Sequence, residues 1–587
     1  MKKIQFIAWG ILVSFSVTHT GWSAPASLAP PAEIFSSNAV PEKIEVPADL
    51  GTVESQYRAA GDAPFIVVLQ DAHAIIDAQL QAQKLLGYFQ KKYGIDLVAL
   101  EGGEGPVDAM LFRAFPDEMA KKKVMGDYLE KAEITGAQMA AVFSGREGRY
   151  YGIEDWDLYE ENYLAYARAA EKKTGVLEKI REFQNSLDEE RQRLFSPELN
   201  QLHERAEAFR EEKINLPEFL KYLSDFVTVR TRHPDPERSE GEGSKSEILR
   251  HKTPQNDAKV SERFHSSYPH LEALMDSLAK EESFKKEDLA VSLRKMAEAF
   301  RKKARGRMDK KQEMEFNERF RAFQSGETDN GSFLKFLVER GASLGFKPRL
   351  TIPLRALLGN VQTLSAIKGS RLFEELENFI GERKNALVRS PEEKELVEKY
   401  RKLVLLRGLA SLELTRDQLA EYQKDPQAYL HLLGEGDLLT PALEFYRLAL
   451  ERDKSFRRNL KELLRKQKSK TAVVIAGGFH TRSFEENLKA DGYSYAVIMP
   501  KIGSLDGKDR YMDLMQGNLS YKNYLRTSFY DAFARAATVK LVGELSAPDF
   551  RRSLKVWRDE VIRELAKEGR LADAGRYTDY IDLLFKV

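Results

Sequence analysis

The sequence predicts an α/β fold, with a mostly parallel sheet formed by N-terminal and C-terminal segments and split by a large, mainly α-helical insertion. Three observations predict it. Short, continuously apolar runs, each followed by helical spacing, occur near both ends of the chain. Between Trp156 and Lys470 the pattern changes to charged and apolar residues alternating at helical spacing. Two of the nine histidines follow matched apolar runs, His73 in Phe65-Ile-Val-Val-Leu-Gln-Asp-Ala-His73 and His480 in Thr471-Ala-Val-Val-Ile-Ala-Gly-Gly-Phe-His480. In an open parallel sheet the strand-to-helix turn is where ligands bind.

Taken in order, residues 1–26 predict a signal peptide. Lys2 and Lys3 precede an apolar stretch from Ile4 to Val17, and Ala24 and Ala26 fit a cleavage site. The run is short for a spanning helix. Residues 27–60, rich in Pro, Ala and Ser, read as a linker. Residues 61–155 form the first part of the α/β domain. Phe65–Leu69 has the composition of a strand covered on both faces. Asp77–Tyr93 carries Leu80, Leu85, Leu86 and Phe89 at helical spacing, with Gly94 as its C-cap. Asp96–Leu100 is a second strand, and Tyr150–Asp155 closes a third.

Residues 156–470 read as the helical insertion. It holds a weak repeat: Glu204-Arg-Ala-Glu-Ala-Phe209 before Phe219-Leu-Lys-Tyr-Leu223, and Glu318-Arg-Phe-Arg-Ala-Phe323 before Phe333-Leu-Lys-Phe-Leu337. A duplicated helical hairpin explains this spacing, and chance similarity between amphipathic helices explains it equally. Residues 230–259 are polar with Gly and Pro, and read as a disordered loop. The second part of the α/β domain covers residues 471–509, with a helix at Thr481–Ala490 and a strand at Tyr493–Met499. Residues 510–587 read as a helical C-terminal region.

A hydrophobic fraction of 42% suits a protein with substantial cores, and a net charge of +1 argues against nucleic acid as partner. With no cysteine, disulfides, thiol catalysis and thiolate metal sites are excluded. The export signal implies a periplasmic or extracellular location without an integral membrane span after signal removal.

The candidate chemistry follows from the fold. If the two halves form one sheet, His73, Glu101, His480 and Glu154 or Asp155 share its C-terminal edge. Two imidazoles and one or two carboxylates suit a divalent metal, whether Zn, Mn, Co or Fe. Such an ion makes bound water nucleophilic. The same residues can work without metal, as a His–Glu pair activating water. Asp71, Glu154, Asp155, Gly477 and Gly478 are supporting candidates. Several have a plainer reading: His73 and His480 are ordinary strand-end histidines that cap helices, Glu101 serves the turn beside Gly102 and Gly103, Glu154 and Asp155 precede a helix that Asp155 caps, and Gly477 and Gly478 make a tight turn with positive φ at one of them. His203 reads as solvated, and Arg482 as a surface residue.

Gln70-Asp-Ala-His73, Val98-Ala-Leu-Glu101-Gly and Gly477-Gly-Phe-His480 together resemble one superfamily. It joins the TIKI/TraB proteins, the ChaN-like haem-binding uptake proteins and the erythromycin esterases. His480 matches a Gly-x-x-His motif through Gly477, Glu101 takes the place of the motif glutamate, and Gln70 stands where the first motif has glycine. The resemblance covers the first α/β block and residues 471–502. It implies a metal-dependent peptidase, a hydrolase of a lactone ester, or a haem binder. A peptide or small-molecule ester is then the expected substrate and haem the alternative ligand. The helical region is expected to shape access or bind a protein partner. An envelope interaction protein with a decayed site is a further reading.

Overall fold

The computed structural model of the chain describes residues 40–47, 50–72, 75–143, 149–211, 213–230, 267–283, 286–326, 328–367, 369–433, 436–502, 529–545 and 550–584. The signal peptide, residues 27–39 and 48–49 of the linker, His73, nearly all of the 230–259 loop, His265, and Tyr511, Tyr521 and Tyr524 lie outside these residues. The chain forms two compact units. One is Phe195–Arg389, and the other is made of the segments on either side of it. Residues 156–194 and 390–470 belong with the sheet, and they supply site residues.

The flanking unit is built on a seven-stranded sheet of order β1-β7-β2-β6-β3-β5-β4. Its strands are β1 Gly51–Tyr57, β2 Phe65–Asp71, β3 Leu97–Leu100, β4 Glu104–Pro106, β5 Arg149–Ile153, β6 Thr471–Gly477 and β7 Ser494–Pro500. The five central strands run parallel, and β1 and β4 close the edges antiparallel. The two halves of the chain thus share one sheet. β2 and β6 pair along their whole length, from Phe65 opposite Thr471 to Asp71 opposite Gly477.

Alternation along β2 shows why its apolar run is continuous. Phe65, Val67 and Leu69 enter a core with α1 (Ile76–Tyr93), α2 (Gly136–Phe143) and the C-terminal helices, through Phe533 and Trp557. Ile66 and Val68 enter the opposite core with Phe456, Leu460 and Phe484. A strand buried on both faces has no polar face to show.

β1 lies inside the predicted linker. Its pairing with β7 shifts register between Val53 and Ser55, so its buried residues do not keep the period of two that marks a strand. The α1 prediction holds: Gly94 is left-handed at φ 67°, its N–H donates to Gln90 O, and the Ile95 N–H donates to Phe89 O.

Two long helices, α3 (Trp156–Leu194) and α4 (Thr440–Lys466), pack on each other. α5 (Gly478–Ala490) follows β6 directly. Among the described residues no helix is long and apolar enough to cross a membrane.

In the Phe195–Arg389 unit the weak repeat takes three-dimensional form. Helices Pro197–Arg210 and Leu216–Arg230 make the first hairpin, and Lys310–Gln324 and Asn330–Ser343 the second. Phe209 stacks on Phe219 at 4.9 Å, as Phe323 does on Phe333 at 4.4 Å. Phe219 stacks on Tyr222 and Phe333 on Phe336, both at 6.3 Å. Arg205 lies over Tyr222 and Arg319 over Phe336. Asn215 caps one second helix and Asp329 the other. Equivalent residues make equivalent contacts, which chance similarity does not produce. Phe333→Ala is expected to destabilise this unit by about 3–5 kcal/mol, measured by urea denaturation.

His203 in this unit is buried, not solvated. Its Nδ1 lies 3.1 Å from Lys384 Nζ and its ring meets Phe195 edge-on. It shares the inward face of its helix with Leu199, Leu202 and Ala206.

Candidate functional site

The carboxyl ends of β2, β6, β3 and β5 bring Asp71, Gly477, Glu101 and Glu154 to one edge of the sheet. Glu101 follows β3, and its N–H bonds to Ile475 O of β6 at 3.0 Å. The chain then turns sharply through Gly102, at φ 76°, a conformation that favours glycine. Gly103 crosses so close to Gly152 of β5 that no side chain fits between them. The Gly102 N–H donates to Glu154 Oε2 at 3.0 Å, and the Glu154 N–H donates to Gly103 O at 2.9 Å. This double tie holds the two carboxylates side by side.

Between them lies a residue that sequence reasoning missed. Arg452, from α4, donates through Nε to Glu154 Oε1 at 2.9 Å and through Nη2 to Glu154 Oε2 at 2.9 Å. Nη2 also reaches Glu101 Oε1 at 3.0 Å, and Nη1 reaches Asn162 Oδ1 of α3 at 3.0 Å. The guanidinium stands over the rings of Tyr159 and Phe456. Burial disfavours its charge, but Glu154 and Glu101 more than offset that and raise its pKa above the usual arginine range. A forked guanidinium suits two carboxylates as a point charge does not.

His480 sits in the first turn of α5 rather than at the strand end. Its side chain is 0% exposed. Nδ1 lies 2.7 Å from Asp453 Oδ1, and Nε2 lies 3.6 Å from Glu101 Oε1. Phe456 and Phe479 meet the imidazole edge-on. Asp453 also lies 3.0 Å from Arg416 Nη1, and Arg416 is 24% exposed. A chain of ionisable groups therefore runs from Arg416 near the surface through Asp453, His480, Glu101 and Arg452 to Glu154. The Gly477 N–H donates to Glu101 Oε2 at 2.7 Å, placing a carboxylate at the positive end of α5.

Of the predicted residues, Glu101, Glu154, His480 and Gly477 come together. Asp71 reaches the same edge, but its side chain accepts from Gln79 Nε2 at 2.5 Å, and Gln79 Oε1 accepts from Gly136 N at 2.7 Å. Asp155 precedes α3 and accepts from Leu158 N, as a cap does. It also meets Ser455 and Arg458. Gly477 has φ −61° and Gly478 opens α5, so the expected positive φ occurs at neither. It occurs at Gly102. Arg482 is on the surface, paired with Asp417 and Glu486.

The described donors do not fit a divalent ion held by Glu101 and His480. Both Glu101 oxygens already accept hydrogen bonds, and an ion there would face the fixed guanidinium of Arg452. Among the described residues no group of three or more His, Asp or Glu has the arrangement of a metal site.

Arg452, Asp453 and Asn162 lie on long amphipathic helices, where charged and polar side chains ordinarily face water. One signal does mark two of them. The apolar stripe of α4 runs Phe445, Leu448, Ala449, Phe456, Leu460, and Arg452 and Asp453 fill the core-facing turn between Ala449 and Phe456.

Comparison with known proteins finds no matching family model, no matching curated protein and no matching solved structure.

Proposed function

We propose that the chain is an exported hydrolase of the TIKI/ChaN-like type that cleaves a peptide or ester bond with a water activated at His480. The observation that supports this reading is the 2.7 Å contact between His480 Nδ1 and Asp453, beside Glu101 at the carboxyl edge of a parallel sheet. Asp453 fixes the imidazole so that Nε2 faces the Glu101 side. As water attacks the carbonyl carbon, Nε2 takes its proton, and Asp453 balances the charge that forms on the ring. The proton then passes to the leaving group.

The test is hydrolysis of a panel of peptides, lactones and aryl esters by the mature protein. His480→Ala and Asp453→Asn are expected to lower kcat/KM by about 10²–10⁴-fold while the circular dichroism spectrum is kept. The metal-assisted form of this reading requires His73 as a further ligand, and predicts stoichiometric metal that is lost in His73→Ala. The haem-binding alternative predicts a Soret band on haem addition.

The complete burial of His480 favours a second reading, an envelope interaction protein in which the old site is now a structural lock. No turnover, no metal, no haem and only a stability loss in His480→Ala select that reading over the first.

A further inference from the structure

The Phe195–Arg389 unit carries a concentration of positive charge that its own folding does not explain. Arg301, Lys302, Lys303, Arg305, Arg307 and Lys310 are all exposed where helix Lys286–Ala304 ends and Lys310–Gln324 begins. A second basic run, Lys347, Arg349 and Arg355, is also exposed. The two runs are held together. Phe346 packs on Phe300 at 5.2 Å, Lys303 Nζ lies 5.9 Å from the Phe346 ring, and Arg307 Nη1 reaches Leu344 O at 3.5 Å. Helix Lys286–Ala304 also packs against Ile352–Ala366, which carries Arg355.

Among the described residues none of these nine cations forms an ion pair. Others in the same unit do, as in Arg340 with Glu315 and Lys335 with Glu339. Asp309, the one acid between Arg301 and Lys310, caps the following helix. Helix dipoles account for Arg301, Lys302 and Lys303 at a C-terminus, but Lys347, Arg349 and Arg355 flank the N-terminal end of helix Ile352–Ala366, where positive charge is disfavoured. The chain as a whole is balanced at +1, so the cluster does not reflect general basicity.

Between Arg349 and Arg355 stands Ile352, 81% exposed. Clustered cations with an apolar side chain projecting among them match an interfacial membrane contact: the cations meet anionic headgroups and the apolar group enters the acyl boundary. We infer that this face of the helical unit docks the protein on an anionic phospholipid surface. The inference is independent of the chemistry at His480.

The test is co-sedimentation of the mature full-length protein with vesicles of phosphatidylcholine alone, or of phosphatidylcholine mixed with phosphatidylglycerol. Binding is expected only with the anionic lipid, and weaker as salt rises. Each basic residue near such a surface contributes about fivefold in affinity. The combination Lys302→Glu, Arg305→Glu, Lys347→Glu and Arg349→Glu should therefore weaken binding by at least about a hundredfold. Ile352→Ser should weaken it by about tenfold without changing its salt dependence. Where the fourfold variant fails to fold, the pair Lys347→Glu and Arg349→Glu carries the test. Equal binding to neutral vesicles, undiminished binding by a folded charge-reversal variant, or tighter binding to duplex DNA than to anionic vesicles would overturn the inference.

Discussion

Replacing Arg452 with leucine is expected to destabilise the sheet-containing unit by about 3–5 kcal/mol. The cause is what remains behind. Glu101 and Glu154 stay buried, side by side, without the guanidinium that answers both. Asn162 also loses the donor to its Oδ1. Arg452→Lys should recover only part of the loss, since one ammonium cannot span three oxygens and an amide. The informative variant removes the carboxylates as well. Arg452→Leu combined with Glu101→Gln and Glu154→Gln should be more stable than Arg452→Leu alone, because the buried charge is gone. Urea denaturation followed by circular dichroism reads all four proteins. A change within about 0.5 kcal/mol for Arg452→Leu, typical of a surface position, would show that the network does not hold the fold.

Gly152→Val should be comparably damaging for a purely steric reason. A Cβ at residue 152 would lie 1.9 Å from the carbonyl carbon and oxygen of Gly103 and 2.4 Å from Glu104 N. The atoms in the way are backbone, so the turn itself must move. That turn carries Glu101, so the displacement reaches the His480 side of the site. Overpacking of an ordinary core costs about 1–3 kcal/mol, and the cost here should lie at or above the top of that range. Gly175→Ala in the middle of α3, where nothing lies within 4 Å, is the control. It should leave stability unchanged or raise it by up to about 1 kcal/mol. A neutral Gly152→Val would mean that β4 and the turn before it are not held against β5 as described.

The parts of the fold legible in the sequence are those where burial removes ambiguity. β2 and β6 are apolar at nearly every position because both sheet faces are covered. Glu101 and His480 could be found because each follows such a strand. β1 could not, since an edge strand with a register shift shows no clean alternation. Arg452 and Asp453 were hidden by an assumption that usually holds, that charges on a long amphipathic helix face water. Asn162 gave no signal, because its partner lies 290 residues away in sequence. The repeat within the helical unit was legible in outline but not in significance, since only stacked rings in space separate shared ancestry of contacts from shared helical period.

The order of the strands has a consequence for how the polypeptide is made. β2 is flanked on both sides by strands that follow Lys470 in the chain, β6 and β7. At a synthesis rate of about 5–20 residues per second, the gap of roughly 400 residues between β2 and β6 takes on the order of tens of seconds to emerge. Throughout that interval Phe65–Leu69, the most apolar strand near the N-terminus, has both edges open and no partner with which to pair. Such a segment invites association with other chains. A nascent chain of this design depends on being kept unfolded until its last fifth has arrived, and any delay there should appear as loss of yield rather than loss of activity per molecule.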